Sequence, residues 1–161
     1  MANLIADALA RIDRLPAFLR NWATNQAFGR AVPYVRTSRI RYESVSEREW
    51  VASVPNVRPV QNHIRQVHAG AMIVAAESVA VTMMAMSLPP DRLPVVKTIE
   101  AKFIKKSAGR ITATARLTEE QLELIRTAPK GEVTVEVEMR DESGEPPVLI
   151  TVVPAWYPKK Q

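Results

Sequence analysis

A single carboxylate, Glu77, interrupts an otherwise uncharged, mostly apolar run from Ala69 to Leu88. A carboxylate is rarely buried without a partner or a task. The task suited to Glu77 is activation of water as general base, or direct nucleophilic attack. An ion pair with Arg65 or Lys97 would account for the same residue structurally. Ahead of the run, Asn62 to His68 lead into Ala69-Gly70-Ala71. A helix opening here would expose first-turn N–H groups at the positive end of its dipole. Ala69 and Gly70 carry so little side chain that a carbonyl oxygen can approach those groups, as in an oxyanion hole. Close packing of the turn against a strand calls for the same small residues, and spacing leaves both readings open. Asn62 either orients water or substrate through its amide or caps the loop, as Asn before a turn commonly does. His68, beside the helix start, is expected to cap or position rather than act as a base.

Glu77 follows the turn by seven or eight residues, about 10–12 Å along a helix. One carbonyl cannot reach the first-turn amides and the Glu77 of the same helix at hydrogen-bond distance. If both serve one reaction, Glu77 must come from a second, antiparallel copy of the helix, as a two-fold dimer supplies.

The elements that position these residues follow from periodicity. Residues 2–14 place Leu4, Ile5, Ala8, Leu9 and Ile12 at helical spacing. Pro16 opens a second helix with Phe18, Leu19 and Trp22 as its apolar stripe, and Gly29 followed by Pro33 is expected to stop it. Residues 38–54 read as one or two strands, and Pro55 and Pro59 bracket a loop leading to Asn62. The helix from about Ala69 to Ser87 is apolar all round and is expected to be buried on most sides, ending at Pro89-Pro90. Strands are expected over 95–105 and 110–117, then a short helix from the capping box Thr118-Glu119-Glu120-Gln121, then strands over 133–139 and 148–156. Ser107-Ala108-Gly109 and Asp141-Glu142-Ser143-Gly144 read as turns, and residues 158–161 as a tail. About four consecutive antiparallel strands with a buried helix make an α+β fold.

Composition closes several alternatives. The 161 residues fit a single domain. With no cysteine and only His63 and His68, thiolate chemistry and a histidine-rich metal site are excluded. The start of the chain lacks a basic region followed by an unbroken apolar core, so no secretory signal is read and a cytoplasmic location is expected. The apolar run is long enough to span a bilayer, but Glu77 at its centre favours a core helix and no membrane span. The net charge of +5 is concentrated early: residues 1–42 hold seven arginines against Asp7 and Asp13. That bias suits an anionic partner or is simply a solvated face. Aromatics are only 6% of residues, so stacking platforms are scarce and no nucleic-acid partner is expected.

Asn62, His68-Ala69-Gly70-Ala71 and Glu77, nine residues after the His, resemble the hotdog-fold thioesterases of the PaaI-like type, which carry Asn, His-Gly-Gly and a later acidic residue. Phe103 to Gly109, followed by Ile111 to Ala115, is similar to that family's strand-turn-strand. The resemblance covers roughly residues 38–157, with 1–36 as an N-terminal helical arm on a single domain of 1–161. It is closest to a bacterial branch in which His-Ala-Gly-Ala replaces His-Gly-Gly. It implies a five- or six-stranded antiparallel sheet wrapped around a long central helix, a homodimer with dimers of dimers possible, and hydrolysis of an acyl-CoA thioester without a metal or a separate cofactor. By the same resemblance Glu77, Asn62, Ala69 and Gly70 are the catalytic set, with His68 beside it. Thr98 stands where some relatives place a hydroxyl on the water, and Lys105, Lys106, Arg110 or an N-terminal arginine are candidates for the CoA phosphates. A non-catalytic acyl-CoA-binding protein on the same fold is the rival expectation, and a hotdog hydratase or dehydratase a weaker one.

Overall fold

The computed structural model describes residues 4–159. Residues 2 and 3 of the expected first helix, and Lys160 and Gln161 of the expected tail, lie outside them. Three helices come first: α1 (Leu4–Ile12), α2 (Ala17–Ala31) and α3 (Pro33–Thr37). The hairpin β1 (Arg41–Val45) and β2 (Glu49–Val54) follows, then a 3-10 turn at Arg58–Val60 and the long helix α4 (Ala69–Ser87). The remainder is β3 (Arg92–Phe103), β4 (Ile111–Arg116), α5 (Glu119–Thr127), β5 (Gly131–Glu132), β6 (Val135–Arg140) and β7 (Val148–Pro158). Gly29 does not stop the second helix, which runs two residues past it. Pro33 instead opens α3, where its missing N–H costs nothing because a first-turn N–H has no helical partner.

The seven strands form one antiparallel sheet in the order β1-β2-β4-β6-β7-β3, with β5 paired to β7. Consecutive pairing is therefore broken after β3. That strand runs alongside β7 over its length, from Arg92 opposite Pro158 to Phe103 opposite Val148, and forms an edge. The segment 104–110 is thus a crossing rather than a hairpin turn, and it carries the chain to β4 between β2 and β6. The expected strand over 133–139 begins two residues later, as β6 at Val135, and β5 before it meets β7 separately.

Helix α4 packs against β2, β3, β4, β6 and β7. Close approach is possible because the contact is small on both sides. Ala75, Ala76 and Ala80 of the helix and Ala52, Ala113 and Ala115 of the strands are all fully buried. Larger side chains fill the ends, among them Met83, Met84, Ile111, Leu122 and Ile125. Phe28, Tyr42 and Trp50 form an edge-to-face triplet with ring centroids 5.0–5.3 Å apart, tying α2 to the hairpin. The Thr118–Gln121 capping box is formed in both directions, and Arg92 from β3 donates to the last carbonyls of α5, Ile125 at 3.1 Å among them.

The expectation of a helix apolar all round hid one departure. Gly70, Ile73, Val74, Glu77 and Val81 recur at three- and four-residue spacing, and every one is only partly buried. One stripe of α4 is therefore only partly covered by its own chain. The sheet side has no such slack: Ala76→Leu forces extra volume into a close-packed contact and is expected to cost about 1–3 kcal/mol, read as a lowered Tm in thermal unfolding.

Candidate functional site

His68 is the N-cap of α4, and its Nδ1 accepts the Gly70 N–H at 2.9 Å. The Gly70 amide, expected as an oxyanion donor beside Ala69, is thereby occupied. The Ala71 and Met72 N–H groups both turn back to the His68 carbonyl, at 2.9 and 3.2 Å. Among the described residues no acceptor takes the Ala69 N–H. The expected pair of donors becomes one.

Ala69 opens onto a cleft of about 350 Å³. One wall is the loop before α4, with Asn62, Ile64, Gln66 and Val67. The other is the segment from Phe103 to Ser107 that leaves β3. Asn62 fills the structural role open to it: its Oδ1 accepts the backbone N–H groups of Ile64 at 3.1 Å and Gln66 at 3.0 Å. That fixes the carboxamide and leaves its Nδ2, which donates to nothing among the described residues, at the cleft. Lys105 and Lys106 line the same cleft. Lys105 is engaged, with Nζ 2.9 Å from Ser143 Oγ and 3.1 Å from Asp141 Oδ2, whereas Lys106 is exposed and has no ion pair among the described residues.

The other expected site residues stand apart. Thr98 is exposed on edge strand β3, and Arg110 is exposed just before β4. Glu77 is half-buried in the partly covered stripe of α4 and does not line the cleft. The ion pair proposed for it with Lys97 is not formed, since Lys97 bonds Glu132 at 2.5 Å. Among the described residues neither Arg65 nor any other cation or donor pairs the Glu77 carboxylate. Burial pushes its pKa up from the ordinary glutamate value. Tyr42 lies close enough to feel that charge. Burial raises the phenol, the hydroxyls of Thr82 and Ser78 lower it, and Glu77 raises it again.

Two contributors escaped the sequence reading. Tyr42 looked like an ordinary alternating strand residue. Asp141 was taken as part of a hairpin turn, and its Oδ1 does accept from the Ser143 N–H at 2.9 Å. Its Oδ2 also accepts the Ala108 N–H at 2.9 Å, a contact 33 residues away that no local pattern announces. The Glu142 N–H returns to the Ala108 carbonyl at 3.0 Å. Asp141 thus staples the segment forming one cleft wall to the β6–β7 turn. At Gly109, φ is +64°, a left-handed backbone that glycine adopts without strain, and a Cβ there would displace the Glu142 carboxylate.

A family described as a domain of unknown function, DUF4442, matches residues 20–156. The chain belongs to the DUF4442 family. No curated protein matches it. Among solved structures, this DUF4442 protein is similar to a protein of unknown function from Pseudomonas aeruginosa that is described as a probable thioesterase. The two are 25% identical over 90% of this chain and 97% of that one, with a TM-score of 0.75. It is also similar to a thioesterase from Haemophilus influenzae, 15% identical over 86% and 90% of the two chains, with a TM-score of 0.69. A thioesterase variant from Staphylococcus aureus, 18% identical over 79% of this chain and 100% of its own, superimposes with a TM-score of 0.67. At these identities the likeness to the last two establishes a shared fold.

Burial works against the charge of Asp141, but bonds from the Ser143 hydroxyl, the Ala108 N–H and Lys105 outweigh it and hold the carboxyl well below its usual range. A depressed folded-state pKa stabilises above the unfolded value, near about 3.9, and the benefit fades as pH falls toward the folded one. Asp141→Asn is therefore expected to lose about 2–3 kcal/mol at neutral pH, a gap from wild type that narrows below about pH 4 in denaturant unfolding.

Proposed function

We propose that this protein hydrolyses an acyl-CoA thioester as a two-fold dimer of hotdog units, each active site joining Glu77 of one chain to the Ala69 cleft of the other. The observation that carries the reading is the partly covered stripe of α4. It is mostly apolar, it is continuous along the helix, and it holds a half-buried carboxylate with no partner among the described residues. A second α4 laid antiparallel on the stripe with Ile73 on the axis sets Glu77 of each chain opposite Ala69 of the other, each about 6 Å from the axis along the helix. Ile73 lies within the stripe, so covering the apolar surface and assembling the site are the same act. Edge strand β3, twelve residues long and largely exposed, offers the same two-fold a second seam.

In this arrangement the thioester carbonyl accepts the Ala69 N–H, aided by the α4 dipole. Glu77 takes a proton from water as the water oxygen bonds to the carbonyl carbon. The negative charge passes to the carbonyl oxygen and is held by the amide. Collapse of that intermediate breaks the C–S bond, and the departing thiolate takes the proton from Glu77. Asn62 Nδ2 is placed to orient the water or the carbonyl, and Lys106 to meet a phosphate of CoA. Burial, which raises its pKa, makes Glu77 a stronger base than an exposed glutamate. Family membership and the fold shared with solved thioesterases support the reaction class.

The test is hydrolysis of a panel of acyl-CoAs by wild type and two variants. Glu77→Gln is expected to abolish turnover while raising Tm at pH 7. A raised folded pKa means the ionised carboxylate costs stability above that pKa and nothing below the unfolded one, so the gain disappears in acid. A structural ion pair at Glu77 would give the opposite sign. Ala69→Pro removes the one unoccupied amide at a position where proline is tolerated, the first residue of a helix preceded by His68 in extended backbone. It is expected to lower kcat by about 100- to 1,000-fold with the fold intact. Binding of acyl-CoA with no turnover in wild type would refute the catalytic reading.

A further inference from the structure

Four arginines, Arg30, Arg36, Arg39 and Arg41, converge with Asn25, Gln26 and Gly29 on a pocket of about 220 Å³ between α2, α3 and β1. All four are exposed, and among the described residues none lies within ion-pair distance of a carboxylate. Like charges held together without counter-charges disfavour one another, so the cluster gains when an anion enters it. The pocket walls are fixed. Asn25 bonds the backbone of Tyr42 in both directions, its Nδ2 to the carbonyl at 2.9 Å and its Oδ1 from the N–H at 2.8 Å. The stem of Arg36 lies against α2 at Gly29, where an added Cβ would sit 3.5 Å from the Arg36 Cβ, an ordinary packing distance.

A second feature runs into the first. Phe18, Trp22, Asn25 and Gly29 follow one another at four-, three- and four-residue steps, one stripe of α2 leading into the pocket. Phe18 is 81% exposed and Trp22 63%, and Tyr34 on the adjoining α3 is 63% exposed. The apolar stripe of α2 thus faces outward at Phe18 and Trp22; the residues α2 buries are Thr24 and Phe28. A soluble phosphate would leave these aromatics in water. A lipid surface takes both, the phosphodiester among the guanidinium groups and the aromatic rings at headgroup depth. The pocket borders β1, at the sheet edge opposite β3, whose end lines the Ala69 cleft, so it is a separate site.

The geometry points to a docking site for an anionic phospholipid surface, with the Arg30/Arg36/Arg39/Arg41 pocket holding a lipid phosphate and Phe18 and Trp22 seated in the interface. This surface would bring the protein to a bilayer without a span, and it does not depend on the reaction catalysed.

Trp22 supplies the readout, because Trp50 and Trp156 are buried, at 0% and 2% exposure. The full chain is titrated with vesicles of phosphatidylglycerol and phosphatidylcholine in equal parts, and with phosphatidylcholine alone, at about 0.1 M and 0.5 M salt, following sedimentation and tryptophan emission. Expected are binding and a blue shift with anionic vesicles only, weakened at the higher salt. The triple variant Arg36→Gln, Arg39→Gln, Arg41→Gln is expected to bind about 100-fold more weakly, at about fivefold per lost arginine. Phe18→Ser with Trp22→Ser is expected to lose sedimentation while keeping the wild-type Tm and acyl-CoA turnover. The proposal is overturned by equal binding to neutral vesicles, by binding that survives the arginine substitutions, or by no binding at the lower salt. It is equally overturned if millimolar inorganic phosphate releases the protein, which would make the pocket a soluble-phosphate site. A blue shift that grows with protein concentration in the absence of vesicles would assign the stripe to a second copy and overturn it too.

Discussion

A helix presents its free amides only in its first turn, and on α4 the sole unpaired carboxylate sits two turns further along. The rise of about 1.5 Å per residue sets that separation at about 12 Å, which no rotamer of Glu77 can close onto Ala69. Most features of the molecule can be ordered around this constraint. The sheet covers α4 on the side of Ala75, Ala76 and Ala80, and the opposite stripe, with Glu77 in it, is left for something else. In the proposed dimer that something is the same stripe of a second chain, and the distance forbidden within one helix becomes contact between two.

The amide end of the site is prepared by bonds that have nothing to do with chemistry. His68 removes Gly70 from the set of available donors, and Asn62 holds the loop by capping Ile64 and Gln66. Asp141 reaches across the fold to pin Ala108, so the cleft wall from Phe103 to Ser107 is fixed from behind. Among the described residues the cleft keeps a backbone N–H, a side-chain amide and a lysine without partners, and the stripe of α4 a carboxylate. Groups left without partners at a cleft are those available to a substrate.

The elements with strong local signals were legible in the sequence. Helix α4, the alternation of β4 from Ile111 to Arg116 and the Thr118–Gln121 capping box all depend on neighbours two to four positions away, and the structure has them at the expected positions. Strand order was not legible, because β3 pairs with β7 through a register of apolar and charged residues separated by about fifty positions. Gly29 and Pro33 misled for a related reason: the contact of α2 with α3 and β1 overrides the local stop. The separation of Ala69 from Glu77 could be read from spacing alone. That Gly70 is spent on His68, that Lys105 is spent on Asp141, and that Phe18 and Trp22 face solvent could not, since each depends on where distant chain segments come to rest.

Sharing of one active site between two chains is measured most directly by mixing variants. Ala69→Pro and Glu77→Gln, each inactive alone, are unfolded together in equal amounts and refolded, and acyl-CoA hydrolysis is assayed. In a mixed dimer one site combines the intact Ala69 of one chain with the intact Glu77 of the other. Half the dimers are then mixed and half of their sites restored, so about one quarter of wild-type activity should return. Activity that stays at the level of the separate variants, while mixed dimers are shown to have formed, would contradict the shared site.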